Sequence, residues 1–217
     1  MKIAVIGATG LVGAAVVREL AKRGHEVTAF ARNTEKIEKA ANIRAVAADV
    51  NDARFAGQLA GFDTVVSAFN PGWDNPNYAA DFERGYQSIL NAAQQASVPY
   101  LLVIGGAGSL YVAPGLQLVD TPDFPPEVYP GADAARRLLN QLTPRRDLNW
   151  GFLSPAAMFA VNPPRFEGSG TYRIGGNDVL LDSQGRPADI SVPDLAAAIA
   201  DEAQSKAHLF QRFTVAE

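Results

Sequence analysis

Gly7, Gly10 and Gly13 stand three apart in "KIAVIGATGLVGAAVVREL", directly after an apolar run and directly before a helix-like one. Without Cβ atoms a chain can turn sharply off a strand and bring its amides within contact distance of a ligand. A helix that begins in such a turn presents free N–H groups and a partial positive charge, which complement a pyrophosphate. Gly13, inside that helix, permits close packing on the first strand. The spacing reads as a dinucleotide-binding turn; the alternative is a tight turn that holds nothing.

Two later residues refine the ligand. A site that prefers NAD places Asp or Glu at the end of the second strand, against the ribose 2′-hydroxyl. Here that strand ends "VTAFARN", and Arg32 takes the expected place. A guanidinium suits a 2′-phosphate, so NADP(H) is the expected cofactor and NAD the second choice; the alternative is a solvated surface arginine. Asp49, in "AADV" at the end of the third strand, is placed either to accept from the adenine amino group or to cap the next helix.

The remaining reactive inventory is sparse. There is no cysteine, which excludes disulfides, thiolate catalysis and cysteine–zinc sites and points to a reducing, cytoplasmic setting. His25 and His208 stand apart, no His–carboxylate group has metal-ligand spacing, and no metal is expected.

The elements that must hold these residues follow from periodicity. Lys2–Ile6, Glu26–Ala31, Ile43–Ala48, Asp63–Phe69, Tyr100–Ile104 and Leu148–Leu153 read as strands, with Arg212–Val215 as a last one. Helices are expected over Leu11–Lys22, stopped by Gly24, over Thr34–Ala41, capped by Asn33, and over Asn77–Ala96. Tyr78, Phe82, Tyr86, Ile89, Leu90 and Ala93 mark the buried face of the third. Gly131–Leu142 reads as a further helix, and "ISVPDLAAAIADEA" as a capped terminal one with Pro193 in its first turn. Gly105–Pro130 and Ser154–Gly170 are irregular, and "TYRIGGNDVLLDSQG" suggests a hairpin.

Strands alternating with helices imply an α/β fold, a doubly wound parallel sheet of Rossmann type. The chain of 217 residues fits a single domain, 1–217, with long loops at the carboxyl ends of the strands acting as lid or binding wall. A net charge of -4 with no basic stripe argues against nucleic-acid binding. No apolar stretch is long enough to span a bilayer, so no membrane partner is expected. The sequence leaves monomer and homodimer open.

The motifs "IGATGLVG", the arginine after strand two, "DV" after strand three and "VVSAFN" after strand four resemble the atypical short-chain dehydrogenase/reductases. Within that superfamily "IGGAGSL", "DTPDFP", "SPAAMF", "GTYRIGG" and "QRFTVA" resemble a group described as NADH-flavin reductases and NAD(P)-dependent epimerase-like proteins. The resemblance covers nearly the whole chain. It implies a nicotinamide cofactor across the strand ends, touching Gly7, Thr9, Gly10, Leu11, Val12, Gly13, Arg32, Asp49, Val50, Ser67, Ala68, Phe69, Ile104, Gly105, Gly106 and Pro155. One departure bears on the acceptor: the group commonly reads "GERTG" before the "YRIGG" segment, whereas this chain reads "FEGSG" at Phe166–Gly170.

Many members of the superfamily use Tyr and Lys four apart on a helix, the Lys lowering the Tyr pKa for proton exchange, with a Ser after the fifth strand. Tyr129 is the nearest candidate, but Asp133 stands four residues on, where an acid would raise a phenol's pKa. Ser109 in "GGAGSL" occupies roughly the serine position, either for a substrate oxygen or for its own loop. Ser109 and Tyr129 are therefore the catalytic candidates of a site that lacks the alcohol-dehydrogenase pair. Hydride transfer to a flavin- or quinone-like acceptor needs no strong protein acid, only two flat rings held together in a dry pocket. Phe69, Trp73, Tyr111, Phe124, Tyr129 and Phe159 are candidate walls for such a planar guest, with flavin a substrate rather than a prosthetic group. The alternatives are a redox sensor that binds NADP(H) without catalysis, and an epimerase- or dehydratase-like enzyme.

Overall fold

Ile3 and Val5 of strand β1 (Lys2–Ile6) face one apolar layer, while Ala4 and Ile6 face another. Both faces of the central strands are buried, so these read as continuous apolar runs. The computed structural model describes Met1–Glu217. Helices α1 (Leu11–Lys22) and α5 (Val192–Ser205) cover the first face, with Val16, Leu20, Leu195 and Ile199 fully buried. Helices α2 (Phe55–Gln58), α3 (Tyr78–Gln95) and α4 (Tyr129–Leu142) cover the second.

The remaining strands of the sheet are β2 (Glu26–Ala31), β3 (Ile43–Ala47), β4 (Thr64–Ser67), β5 (Leu101–Ile104), β8 (Trp150–Ser154), β9 (Arg173–Gly175) and β10 (Gln211–Ala216). A separate ribbon pairs β6 (Tyr111–Ala113) with β7 (Leu116–Gln117). The eight-stranded order is β3-β2-β1-β4-β5-β8-β10-β9, parallel throughout except for β9, which runs antiparallel to β10. The chain leaves β1 toward β2 over one face and later returns to β4 on the other side of β1. The crevice at the carboxyl ends of β1 and β4 is thus the topological switch point, where open α/β sheets bind ligands.

Three local expectations are corrected. Thr34–Ala41 forms turns rather than a helix. Asn33 Oδ1 accepts from the Glu35 amide at 2.9 Å, closing a turn two residues on, and Ile37 is the segment's one buried large side chain. A short charged segment with a single anchor cannot offset helix nucleation. The expected hairpin at Thr171–Gly185 splits: Arg173–Gly175 leaves to become edge strand β9, and only a tight turn at Asp182–Arg186 remains. Gly105–Pro130 is more ordered than its composition suggests, holding the β6–β7 ribbon. No helix is long and apolar enough to cross a membrane.

Candidate functional site

The glycine turn lies in the β1/β4 crevice, and the backbone leaves no room for side chains. Gly7 has φ +78°, and a Cβ there would come within 2.4 Å of the Ala68 carbonyl oxygen at the end of β4. A Cβ on Gly13 would come within 2.2 Å of the Gly7 carbonyl oxygen, so α1 rests directly on the turn. Gly10 is the N-cap of α1, with no side-chain cap and no acidic residue in the first turn. The positive end of the helix therefore faces the crevice uncompensated. A cradle of bare backbone and an uncapped helix start fit a diphosphate.

The other expected residues lie at the start of α1, after β2 and β3, and at the carboxyl ends of β4, β5 and β8. Thr9 is half-buried, Leu11 is exposed, and Val12, Ile104 and Phe159 each pack against the α1/α5 layer. Arg32 follows β2, is exposed, and has no hydrogen bond or ion pair within the chain. Asp49 Oδ1 accepts from the Asn51 amide at 2.9 Å, so one carboxylate oxygen shapes its own turn, while Val50 is buried beneath. Ala68 abuts Gly7. Ser67 is fully buried, and its hydroxyl donates toward the Tyr86 hydroxyl at 3.4 Å, away from the crevice. Phe69 lies over Gly85 and meets the Tyr86 ring edge-on at 5.7 Å, so it packs on α3 rather than standing free. Gly105 and Gly106 are half-buried at the end of β5, and Pro155 is buried at the end of β8.

The catalytic candidates differ in their settings. Ser109 is 1% exposed, and its Oγ accepts from Arg212 Nη1 at 3.2 Å. Arg212 also donates to Asn177 Oδ1 at 2.9 Å and to the Asn177 carbonyl at 3.1 Å. Its guanidinium pKa is lowered by burial, only partly countered by Tyr111 and Asp178. Arg212 thus ties the Gly105–Pro130 stretch, through Ser109, and the segment after β9, through Asn177, to β10. Tyr129 opens α4, is half exposed and meets Phe124 edge-on at 6.3 Å. Asp133 does not act on it: that carboxylate is held by Arg136 at 2.5 Å and by Arg137. His208 bonds Glu202 at 2.7 Å and His25 bonds Gln204 at 2.8 Å, both away from the crevice. No group of three or more histidines and carboxylates is gathered for a metal.

The altered loop at Phe166–Gly170 is clamped by a residue that sequence reading passed over. Asp194, in the first turn of α5, accepts from the Ser169 amide at 2.6 Å, the Ser169 hydroxyl at 3.0 Å and the Gly170 amide at 3.0 Å. Burial works against its ionisation, but the amide and hydroxyl bonds from Ser169 outweigh it and hold the carboxyl below its usual range. A folded-state pKa below the unfolded value of about 3.9 contributes stability that is complete above that pH and lost as pH falls through the folded value. Asp194→Asn is expected to lower Tm by roughly 3–6 °C near neutrality, and this gap should close in melts taken toward pH 2. A gap independent of pH would refute the ionised clamp. The only sequence hint was Asp three residues after Ser191, and that pattern also reads as plain capping.

A family model described as NAD(P)H-binding matches residues 7–206, beginning at the glycine turn and running into the segment after α5. The chain belongs to the NAD(P)H-binding family. The Bacillus subtilis protein YwnB is 38% identical over 217 residues, covering 99% of this chain and 98% of that one. A candidate epimerase from Bacteroides thetaiotaomicron superposes with a TM-score of 0.89 at 38% identity, covering 99% of this chain and 96% of its own. A candidate NADH-flavin reductase from Streptococcus pneumoniae does so with a TM-score of 0.87 at 34% identity, covering 100% and 99%. The cradle and the family description agree: this NAD(P)H-binding chain carries the fold of oxidoreductase-like relatives.

Proposed function

We propose that this NAD(P)H-binding protein is an NADPH-preferring reductase whose acceptor is a flat, electron-poor ring of flavin or quinone type. The observation that carries the reaction class is the capture of Asp133 by Arg136 and Arg137. Tyr129 has neither a lysine four residues on to activate it nor a carboxylate partner, which supports an acceptor that needs no strong protein acid. When bound, the nicotinamide supplies a hydride, and an acceptor ring of this kind takes its proton from water. The chain's task is to bind and orient. Gly7, Gly10 and the first amides of α1 hold the diphosphate, Arg32 pairs with the 2′-phosphate, and Val12, Ile104 and Phe159 form an apolar rim that excludes water. Ser109, locked by Arg212, steadies the wall over the acceptor.

The test is NADPH oxidation by purified protein with FMN, FAD, riboflavin and menadione, each against a no-enzyme control. Turnover above control supports the reading; none with any acceptor, despite NADPH binding, would make this a cofactor-sensing protein instead. Arg32→Ala is expected to weaken NADPH binding roughly tenfold to a hundredfold while leaving NADH little changed, as for loss of one charge-assisted phosphate contact. Calorimetry with both cofactors checks this, and equal losses for the two would remove Arg32 from the phosphate site.

A further inference from the structure

Trp73 is 60% exposed, yet its ring is held in a fixed plane. One face stacks on Tyr78 at 5.2 Å and 20°, and Tyr78 in turn stacks on Phe82 at 5.9 Å and 16°. Asn70 locks the base of the stack: its amide donates to the Tyr78 hydroxyl at 2.9 Å, and its carbonyl accepts from the Gly72 amide at 2.7 Å. The indole edge fits against α4 because Gly131 has no side chain; a Cβ there would lie 2.8 Å from Trp73 Cζ3. Burial pushes the Tyr78 phenol up to about 12, so it stays neutral behind the indole. The loop that carries Trp73 leaves the carboxyl end of β4 and reaches the first turn of α4, where Tyr129 is half exposed.

We propose that Trp73 is the stacking platform that selects the acceptor: the open face of the Trp73–Tyr78 stack takes the planar ring of an isoalloxazine or a naphthoquinone. The proposal rests on the reductase reading above and deepens it by naming the residue that recognises the second substrate. An exposed indole on a loop ordinarily keeps its rotamer freedom. Here a stack on one side, a glycine gap at the edge and an asparagine lock at the base remove that freedom before any guest arrives, which lowers the entropy lost on binding. An electron-rich indole prefers an electron-poor ring offset over its face, and such stacking tolerates different ring systems because it reads no hydrogen-bond pattern.

The experiment compares wild type with Trp73→Leu and Trp73→Phe, using NADPH with riboflavin and separately with menadione. Trp73→Leu is expected to raise the acceptor KM about tenfold, in line with the loss of one stacked ring, with the KM for NADPH unchanged. Trp73→Phe keeps an aromatic ring over Tyr78, giving up the indole's outer-edge contact at Gly131, and should return KM most of the way. Riboflavin added to wild type should show a long-wavelength charge-transfer shoulder that Trp73→Leu abolishes. An unchanged acceptor KM in Trp73→Leu, or a Phe variant as impaired as the Leu variant, overturns the platform and leaves the reductase reading standing. A Trp73-dependent shoulder without turnover in wild type upholds the platform and refutes the reductase reading.

Discussion

Glu202→Ala is expected to lower Tm by roughly 8–15 °C while leaving cofactor affinity untouched. Glu202 is 3% exposed and accepts from the Tyr100 hydroxyl at 2.5 Å and from the His208 amide at 3.0 Å, with His208 Nδ1 2.7 Å away. Tyr100 is fully buried beneath Gly151, and burial together with the Glu202 bond raises its pKa far above the usual phenol value. Removing the carboxylate strands a buried hydroxyl and a backbone N–H, and breaking such a network costs about 3–5 kcal/mol. The network also anchors the corner between α5 and β10, where Lys206 and Phe210 sit at φ 53° and 57°. It lies at the amino ends of the strands, opposite the glycine turn, so stability and NADPH binding should separate. Pairing Glu202→Leu with Tyr100→Phe should recover part of the loss. Melting at the wild-type temperature would show that the network holds nothing.

Gly13→Ala is expected to lower Tm by roughly 3–9 °C and to erase the thermal shift that NADPH gives. The added Cβ would sit 2.2 Å from the Gly7 carbonyl oxygen, and that oxygen belongs to backbone that cannot rotate away. α1 must lift from the turn, which costs about 1–3 kcal/mol as overpacking and moves the first amides off the diphosphate. Gly57→Ala is the matched control, since nothing lies within 4 Å of its Cβ position. A variant that still shifts with NADPH as wild type does would sink the cradle.

Sequence and structure agree best where a pattern is local and repeated. The helix over Leu11–Lys22 and the buried face of α3 from Tyr78 to Ala93 are as periodicity predicts. The position of Arg32, directly after β2, was legible because strand two ends in a recognisable place. Phe69 was not: an aromatic after β4 could as well line the crevice, and only the gap at Gly85 shows its ring turned onto α3.

By itself the sequence determined the main parallel strands, helices α1, α3, α4 and α5, the glycine turn and the lack of a Tyr–Lys pair. All of these depend on residue type at short spacing, and backbone sterics and hydrophobic period act within a few residues. The tertiary structure alone decided that Arg212 reaches Ser109 across 103 residues, and that Asp194 clamps the altered loop across 25. A side chain with several polar neighbours within reach is committed only when packing brings distant segments together. Which partner it takes is therefore absent from any single stretch of chain.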